Sequence, residues 1–171
     1  MAIALTVVCA TASVCVAQTS RELRPGQQYE SGAAVHDAGH AVGFTIPSEW
    51  LARIPLESEA LLLSSTQHDG VGVIAILDRM TPELLTERLS EPQDFGESVV
   101  LQLSRPIERD GARWTAAYLS GNVIGRTVAL LGPDEQAVVY FFAGPVHEAS
   151  AYEAALHELA TSTRFDSVTS L

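Results

Sequence analysis

Residues 109–145 read RDGARWTAAYLSGNVIGRTVALLGPDEQAVVYFFAGP. Three apolar runs stand in this stretch: Trp114 to Leu119, Val123 to Leu131 and Ala137 to Ala143. Each is preceded by a turn signal: Asp110-Gly111, Gly121-Asn122 and Gly132-Pro133-Asp134. Glycine, asparagine and aspartate tolerate the backbone angles of tight turns, so short connections between β-rich runs predict antiparallel hairpins. Upstream, Val99, Leu101 and Leu103 alternate before Pro106, adding a strand of period two. Downstream, Gly144-Pro145 closes the sheet. Glu148 to Ser162 follows as a helix whose apolar stripe is Tyr152, Leu156 and Leu159. Phe165 then plugs the edge of the core.

The first half supplies more strands and one helix. Val42, Phe44 and Ile46 alternate with small or polar residues until Pro47. Ala60 to Ser65 and Val71 to Leu77 are apolar runs joined through Gln67-His68-Asp69-Gly70, a hairpin signal. Thr81-Pro82-Glu83 combines a threonine N-cap, a proline at the first helical position and an acid in the first turn. Leu85 and Leu89 lie one turn apart on that helix, and Glu91-Pro92 ends it. The order β-β-β-α-β-β-β-β-α predicts an α+β fold: a mostly antiparallel sheet of six to seven strands with two main helices packed on it.

The chain has 171 residues, 47% of them apolar, so one folded domain with a leader accounts for its length. Residues 1–20 carry no charge. Ala2 to Val16 has the length and apolarity of a signal-peptide h-region and is too short to span a bilayer comfortably. Cys15-Val16-Ala17 offers a small-residue cleavage site, so residues 1–17 read as a signal peptide, although Met1-Ala2-Ile3 lacks a basic n-region. Residues 18–39 read as a polar linker, 40–166 as the domain and 167–171 as a tail. The expected location is secreted or periplasmic, with no stable membrane span after cleavage. Both cysteines, Cys9 and Cys15, fall in the leader, and Val8 and Val14 fit a lipidation signal badly. The mature chain then has no disulfide, thiolate metal site or thiol nucleophile.

Charge narrows the function further. Acidic residues number 21 against 10 basic, all arginine, for a net charge of −11. Without lysine there is no Schiff base, no covalently held pyridoxal phosphate and no Walker A loop. The acidic balance argues against sequence-independent nucleic-acid binding, which needs cations against phosphates. The acids from Glu83 to Glu97 lack calcium-loop spacing and read as a solvated helix face.

One stretch suggests catalysis. His36-Asp37-Ala38-Gly39-His40 resembles the HExxH zinc motif, closest to the HEAGH form of membrane-associated AAA metalloproteases. On a helix, histidines at i and i+4 share a face and can bind zinc. Aspartate here replaces the glutamate general base and is one methylene shorter. Gly39, Gly43 and Ile46-Pro47 oppose a helix, and no third-ligand motif follows. In a strand the two histidines would stand ~13 Å apart. The preferred reading is polar residues leading into the first core strand, with a zinc-dependent hydrolase using His36 and His40 as the alternative. His68 reads as a solvated hairpin tip, His157 as an exposed i, i+4 partner of Glu153, and Trp50 and Trp114 as packing residues. No G-x-S-x-G elbow occurs. No cofactor is expected, and a small-ligand pocket between sheet and helices remains a weaker option.

Gly43-Phe44-Thr45-Ile46-Pro47-Ser48-Glu49-Trp50 resembles the opening of bacterial PsbP/Mog1-like domains, the DUF1795 and DcrB types among them. The likeness continues through Leu61 to Ser65, Thr81-Pro82-Glu83, the Tyr118 to Gly121 turn and Ser162-Thr163-Arg164-Phe165, covering residues 40–166. It implies an α/β/α sandwich and a non-catalytic role as an assembly factor, adaptor or chaperone, acting through a protein partner. It carries over no catalytic residues. Glu49 stands where the pattern has glycine, so the tight turn there is expected to differ.

Overall fold

The three runs of residues 109–145 form the centre of the molecule. In the computed structural model, which describes residues 20–94 and 99–166, they are long antiparallel strands in continuous register. The segments expected as leader (1–17) and tail (167–171) lie outside the described residues. In chain order the elements begin with β1 (Arg21–Glu22), β2 (Gln28–Tyr29), β3 (Ala34–Asp37), β4 (Val42–Thr45), β5 (Leu51–Arg53), β6 (Leu61–Ser64) and β7 (Val71–Leu77). Helix α1 (Pro82–Ser90) leads to β8 (Gln93–Asp94), β9 (Val100–Leu103), β10 (Glu108–Asp110), β11 (Arg113–Ser120), β12 (Val123–Leu131) and β13 (Ala137–Pro145). Helix α2 (Ala149–Ser162) and β14 (Arg164–Phe165) complete the described chain.

The large sheet runs β2-β5-β6-β7-β13-β12-β11-β9-β8, with β10 also paired to β11. A small sheet runs β1-β3-β4-β14, where only β1 and β3 are parallel. The expected turns do their work: Gly121, at φ +56°, opens the two-residue connection between Ser120 and Val123. Strand alternation then sorts β13 between two faces. Val138, Tyr140 and Phe142 point to α2 and the small sheet, while Ala137, Phe141 and Ala143 point to the side of α1. Helices on opposite faces make the α/β/α sandwich, an α+β fold with a largely antiparallel sheet.

The expected six to seven strands become fourteen in two sheets among the described residues. The extra ones are short, several only two residues long, and such strands leave no periodicity to read. Within the stretch expected as a linker, residues 20–39 form no simple linker. Tyr29 and Val35 are fully buried in the main core, and the Tyr29 hydroxyl accepts from Arg24 N–H (2.7 Å) and donates to Glu22 O (2.9 Å). The folded region therefore starts well before His40.

Both helices follow their sequence signals. Thr81 caps α1, its hydroxyl accepting from Leu84 N–H at 3.3 Å, with Pro82 in the first turn. Leu85 and Leu89 pack on Trp114, Ala129 and Ala137. The Trp114 indole N–H donates to Thr86 Oγ1 (3.0 Å) and the Tyr118 hydroxyl to Leu89 O (2.6 Å), pinning α1 to β11. Helix α2 buries Tyr152, Ala155, Leu156 and Leu159. Phe165 pairs β14 with β4, lies half-buried against the core and rests on Gly132. Among the described residues no helix is long and apolar enough to cross a membrane.

Candidate functional site

Metal-motif geometry is decided by backbone, and the backbone here is not helical. His36 and Asp37 belong to β3, opposite Gly43 and Val42 of β4. Residues 38–41 are the turn between the two strands, with Ala41 at φ +50°. Asp37 shapes that turn: its Oδ1 accepts from His40 N–H (3.0 Å) and lies 3.0 Å from His40 Nδ1. Asp78 approaches the opposite ring nitrogen, Nε2, at 3.4 Å. Carboxylates at opposite nitrogens of one ring do not converge on a point where a cation could sit. His36 instead pairs with Ser20 Oγ at 3.2 Å. Asp37, the residue in the place of the general base, is a turn-forming acceptor. Among the described residues no group of three or more His, Cys, Asp or Glu side chains is arranged to hold a metal.

The densest polar cluster lies elsewhere, where β5, the β6–β7 connection and the start of α2 meet. His68 is not a solvated loop tip. Its side chain is 19% exposed, and its ring lies flat on Trp50 with centroids 5.7 Å apart. Nε2 is 3.2 Å from Glu49 and Nδ1 is 3.8 Å from Glu148. Glu148 also accepts from the Tyr152 hydroxyl (2.8 Å) and Asp69 N–H (3.1 Å). The Tyr152 hydrogen bond, aided by Asp69 N–H and the two nearby histidines, holds the Glu148 carboxyl below its ordinary range against the opposing effect of burial. Burial, then the same carboxylate, pushes the Tyr152 phenol up. Beneath them Trp50 meets Phe142 edge-on at 4.7 Å, and Phe142 stacks on Tyr152.

Glu49 explains how this chain departs from the glycine of the resembling pattern. Glu49 itself takes the left-handed conformation, at φ +70°, that glycine adopts most readily. A non-glycine residue there carries steric strain. The carboxylate so placed reaches His68, and the backbone N–H donates to Ser31 Oγ at 3.1 Å.

A cleft of about 220 Å³ opens beside the cluster, lined by Ser48, Trp50, His68, Ala151 and Glu158. A serine, a histidine and glutamates in one cleft invite a hydrolase reading, and the hydrogen bonds oppose it. Ser48 donates both its N–H (2.9 Å) and its hydroxyl (3.1 Å) to Glu158, while His68 faces Glu49 and Glu148. A nucleophile must bond to its base, and these two are committed elsewhere. The arrangement ties α2 to the β4–β5 turn and the β6–β7 connection.

The other expected site residues resolve as packing or surface. Trp50 is 1% and Trp114 0% exposed. Glu153 pairs with Arg126 (3.2 Å) on the neighbouring strand and not with His157. Sequence reasoning missed the His68 cluster because Glu49, Trp50, Glu148 and Tyr152 stand 18 to 84 residues from His68 and converge on it only through the fold.

No protein-family model matches the sequence, and no curated protein matches it. Solved structures do. The solution structure of cyanobacterial PsbP (CyanoP) from Synechocystis sp. PCC 6803 aligns over 82% of this chain and 92% of its own, with TM-score 0.53 and 11% identity. The crystal structure of the Saccharomyces cerevisiae Ran-binding protein Mog1p aligns over 81% and 94%, with TM-score 0.46 and 12% identity. The PsbP-like fold implied by the motif resemblance is therefore the fold of this chain.

Proposed function

We propose that this chain is an exported, non-catalytic interaction domain of adaptor or assembly type, acting through a protein partner. One observation carries the reading: the side chains that could do chemistry are bonded to one another in structural arrangements. His40 is held by Asp37 and Asp78, His68 by Glu49 and Glu148, and Ser48 by Glu158. An active site keeps a nucleophile, base or electrophile aimed at the place where substrate reacts. Support also comes from the PsbP-like fold, which offers scaffold and surface, and from the acidic charge. Residues 1–17, the proposed signal peptide, would deliver the mature chain to the periplasm or beyond.

The test is crosslinking in the native envelope. Because the chain has no lysine, an amine-directed reagent would find only the α-amino group. A photo-reactive amino acid in place of the exposed Leu84 avoids that gap. A single saturable protein adduct, competed by unlabelled mature chain, supports the reading. Hydrolysis of a peptide or ester by the purified chain, abolished by His68→Ala or Ser48→Ala with the fold intact, would replace it.

A further inference from the structure

The α1 face of the large sheet holds a hollow. Strand registers place Ala116, Thr127, Phe141 and Val73 side by side in one row, and Ala129, Val139 and Ala75 in the next. Several of these are small, so α1 cannot close down on them everywhere. What remains is a cavity of about 260 Å³, walled by Val73, Ala75, Leu77, Leu89, Val139 and Phe141. Its walls are mostly hydrocarbon, it opens to solvent on one side, and Arg88, Gln93, Asp94 and Tyr118 supply its polar margins.

Thr127 lies in its lining and is 2% exposed. Its Oγ1 has no hydrogen-bond partner among the described residues, the one buried side-chain polar atom there in that state. The nearby Tyr118 hydroxyl does not relieve it. That hydroxyl donates its proton to Leu89 O at 2.6 Å; its oxygen is close enough to Thr127 for the threonine hydroxyl to lower its pKa, but the two hydroxyls do not meet hydrogen-bond geometry. Folded proteins leave few buried hydroxyls unpaired, because the lost hydration is not returned. An apolar cavity of about 150 Å³ stays dry and takes up benzene. This one is larger and carries a hydroxyl on its wall.

We propose that the cavity beneath α1 is a binding site for a small, uncharged, mainly apolar molecule of single-ring size whose one polar group hydrogen-bonds Thr127 Oγ1. Such a ligand fills the hollow with dispersion contacts and gives the orphaned hydroxyl its partner. The site is on the opposite face of the sheet from the His68 cluster and can fail without touching the partner-binding reading.

The test uses two probes of nearly equal shape, p-cresol and toluene, titrated into the mature protein. Calorimetry and methyl NMR of Val73, Leu89 and Val139 read the binding. Both probes are expected to bind, with p-cresol about tenfold tighter, the ratio one neutral hydrogen bond supports. Thr127→Val, which keeps the shape and removes the hydroxyl, should bring p-cresol down to the affinity of toluene. Ala75→Phe should fill the cavity and abolish both. If that variant does not fold, the Thr127→Val comparison decides alone. The proposal is overturned if neither probe binds at ten millimolar, if the tenfold ratio survives Thr127→Val, or if folded Ala75→Phe still binds.

Discussion

Replacing Trp114 by alanine probes the packing of α1 directly. The indole is 0% exposed and lies between Leu85 and Leu89 of the helix and Ala129 and Ala137 of the sheet. Its N–H donates to Thr86 Oγ1, and the Arg109 guanidinium sits 4.6 Å over its ring. Truncation removes the transfer free energy of the ring and leaves a void that a hydrogen-bonded β-strand cannot close. Buried Trp→Ala changes of this kind cost about 3–5 kcal/mol. Thr86 adds little, because its hydroxyl still donates to Pro82 O at 2.8 Å. A domain of this size holds roughly 5–15 kcal/mol, and each kcal/mol moves Tm by about 2–4 °C. The expected fall is therefore roughly 6–20 °C. Urea unfolding followed by far-UV circular dichroism should show the midpoint moving with the m-value unchanged. Trp50, the only other tryptophan, then reports the opposite face by fluorescence. Trp114→Phe should recover most of the loss. A change below about 1 kcal/mol in Trp114→Ala, with a partner lost, would show the ring to be a recognition surface and refute the packing argument.

Three further outcomes follow from named residues. Glu49→Gly should be about 1 kcal/mol more stable than Glu49→Ala by chemical denaturation, since both lose the carboxylate and only glycine relieves φ +70°. Equal stabilities would mean that the turn is not left-handed in solution. Glu148 has a folded pKa below its unfolded value of about 4.3, so its contribution is present above that pH and fades as pH falls through the folded value. Glu148→Gln should thus be less stable than wild type at neutral pH, with the gap narrowing as pH falls below about 5; a gap that does not change with pH would remove the carboxylate from the argument. Mass spectrometry of the mature protein should find its N-terminus at Gln18, and an intact chain retaining Met1 would overturn export.

Long elements were legible in the sequence because they repeat a simple period. Val71 to Leu77 and the three runs of residues 113–145 announce themselves by apolar content and turns, and Thr81-Pro82-Glu83 by its capping chemistry. The first strands did not, since β1 and β2 are two residues each and bury mainly Tyr29. A polar segment with one buried tyrosine reads as a linker until the partner strands are known. The same limit hid the cluster around His68. Hairpin-tip composition predicts solvation, and only the fold brings Glu49, Trp50 and Glu148 to its ring. The His36–His40 motif erred in the opposite sense. Its residue types suggest zinc, while glycine and β-branched neighbours dictate a strand and a turn.

The central claim is that the fold has turned the His36–His40 motif into a structural turn. Zinc titration of the purified mature chain, by calorimetry against His36→Ala and His40→Ala, tests that claim most directly. The account predicts no stoichiometric zinc in any of the three proteins. It also predicts loss of stability in His40→Ala, where Asp37 and Asp78 lose their shared ring. One equivalent of tightly bound zinc in the wild type, lost in both variants, would contradict it and restore the hydrolase.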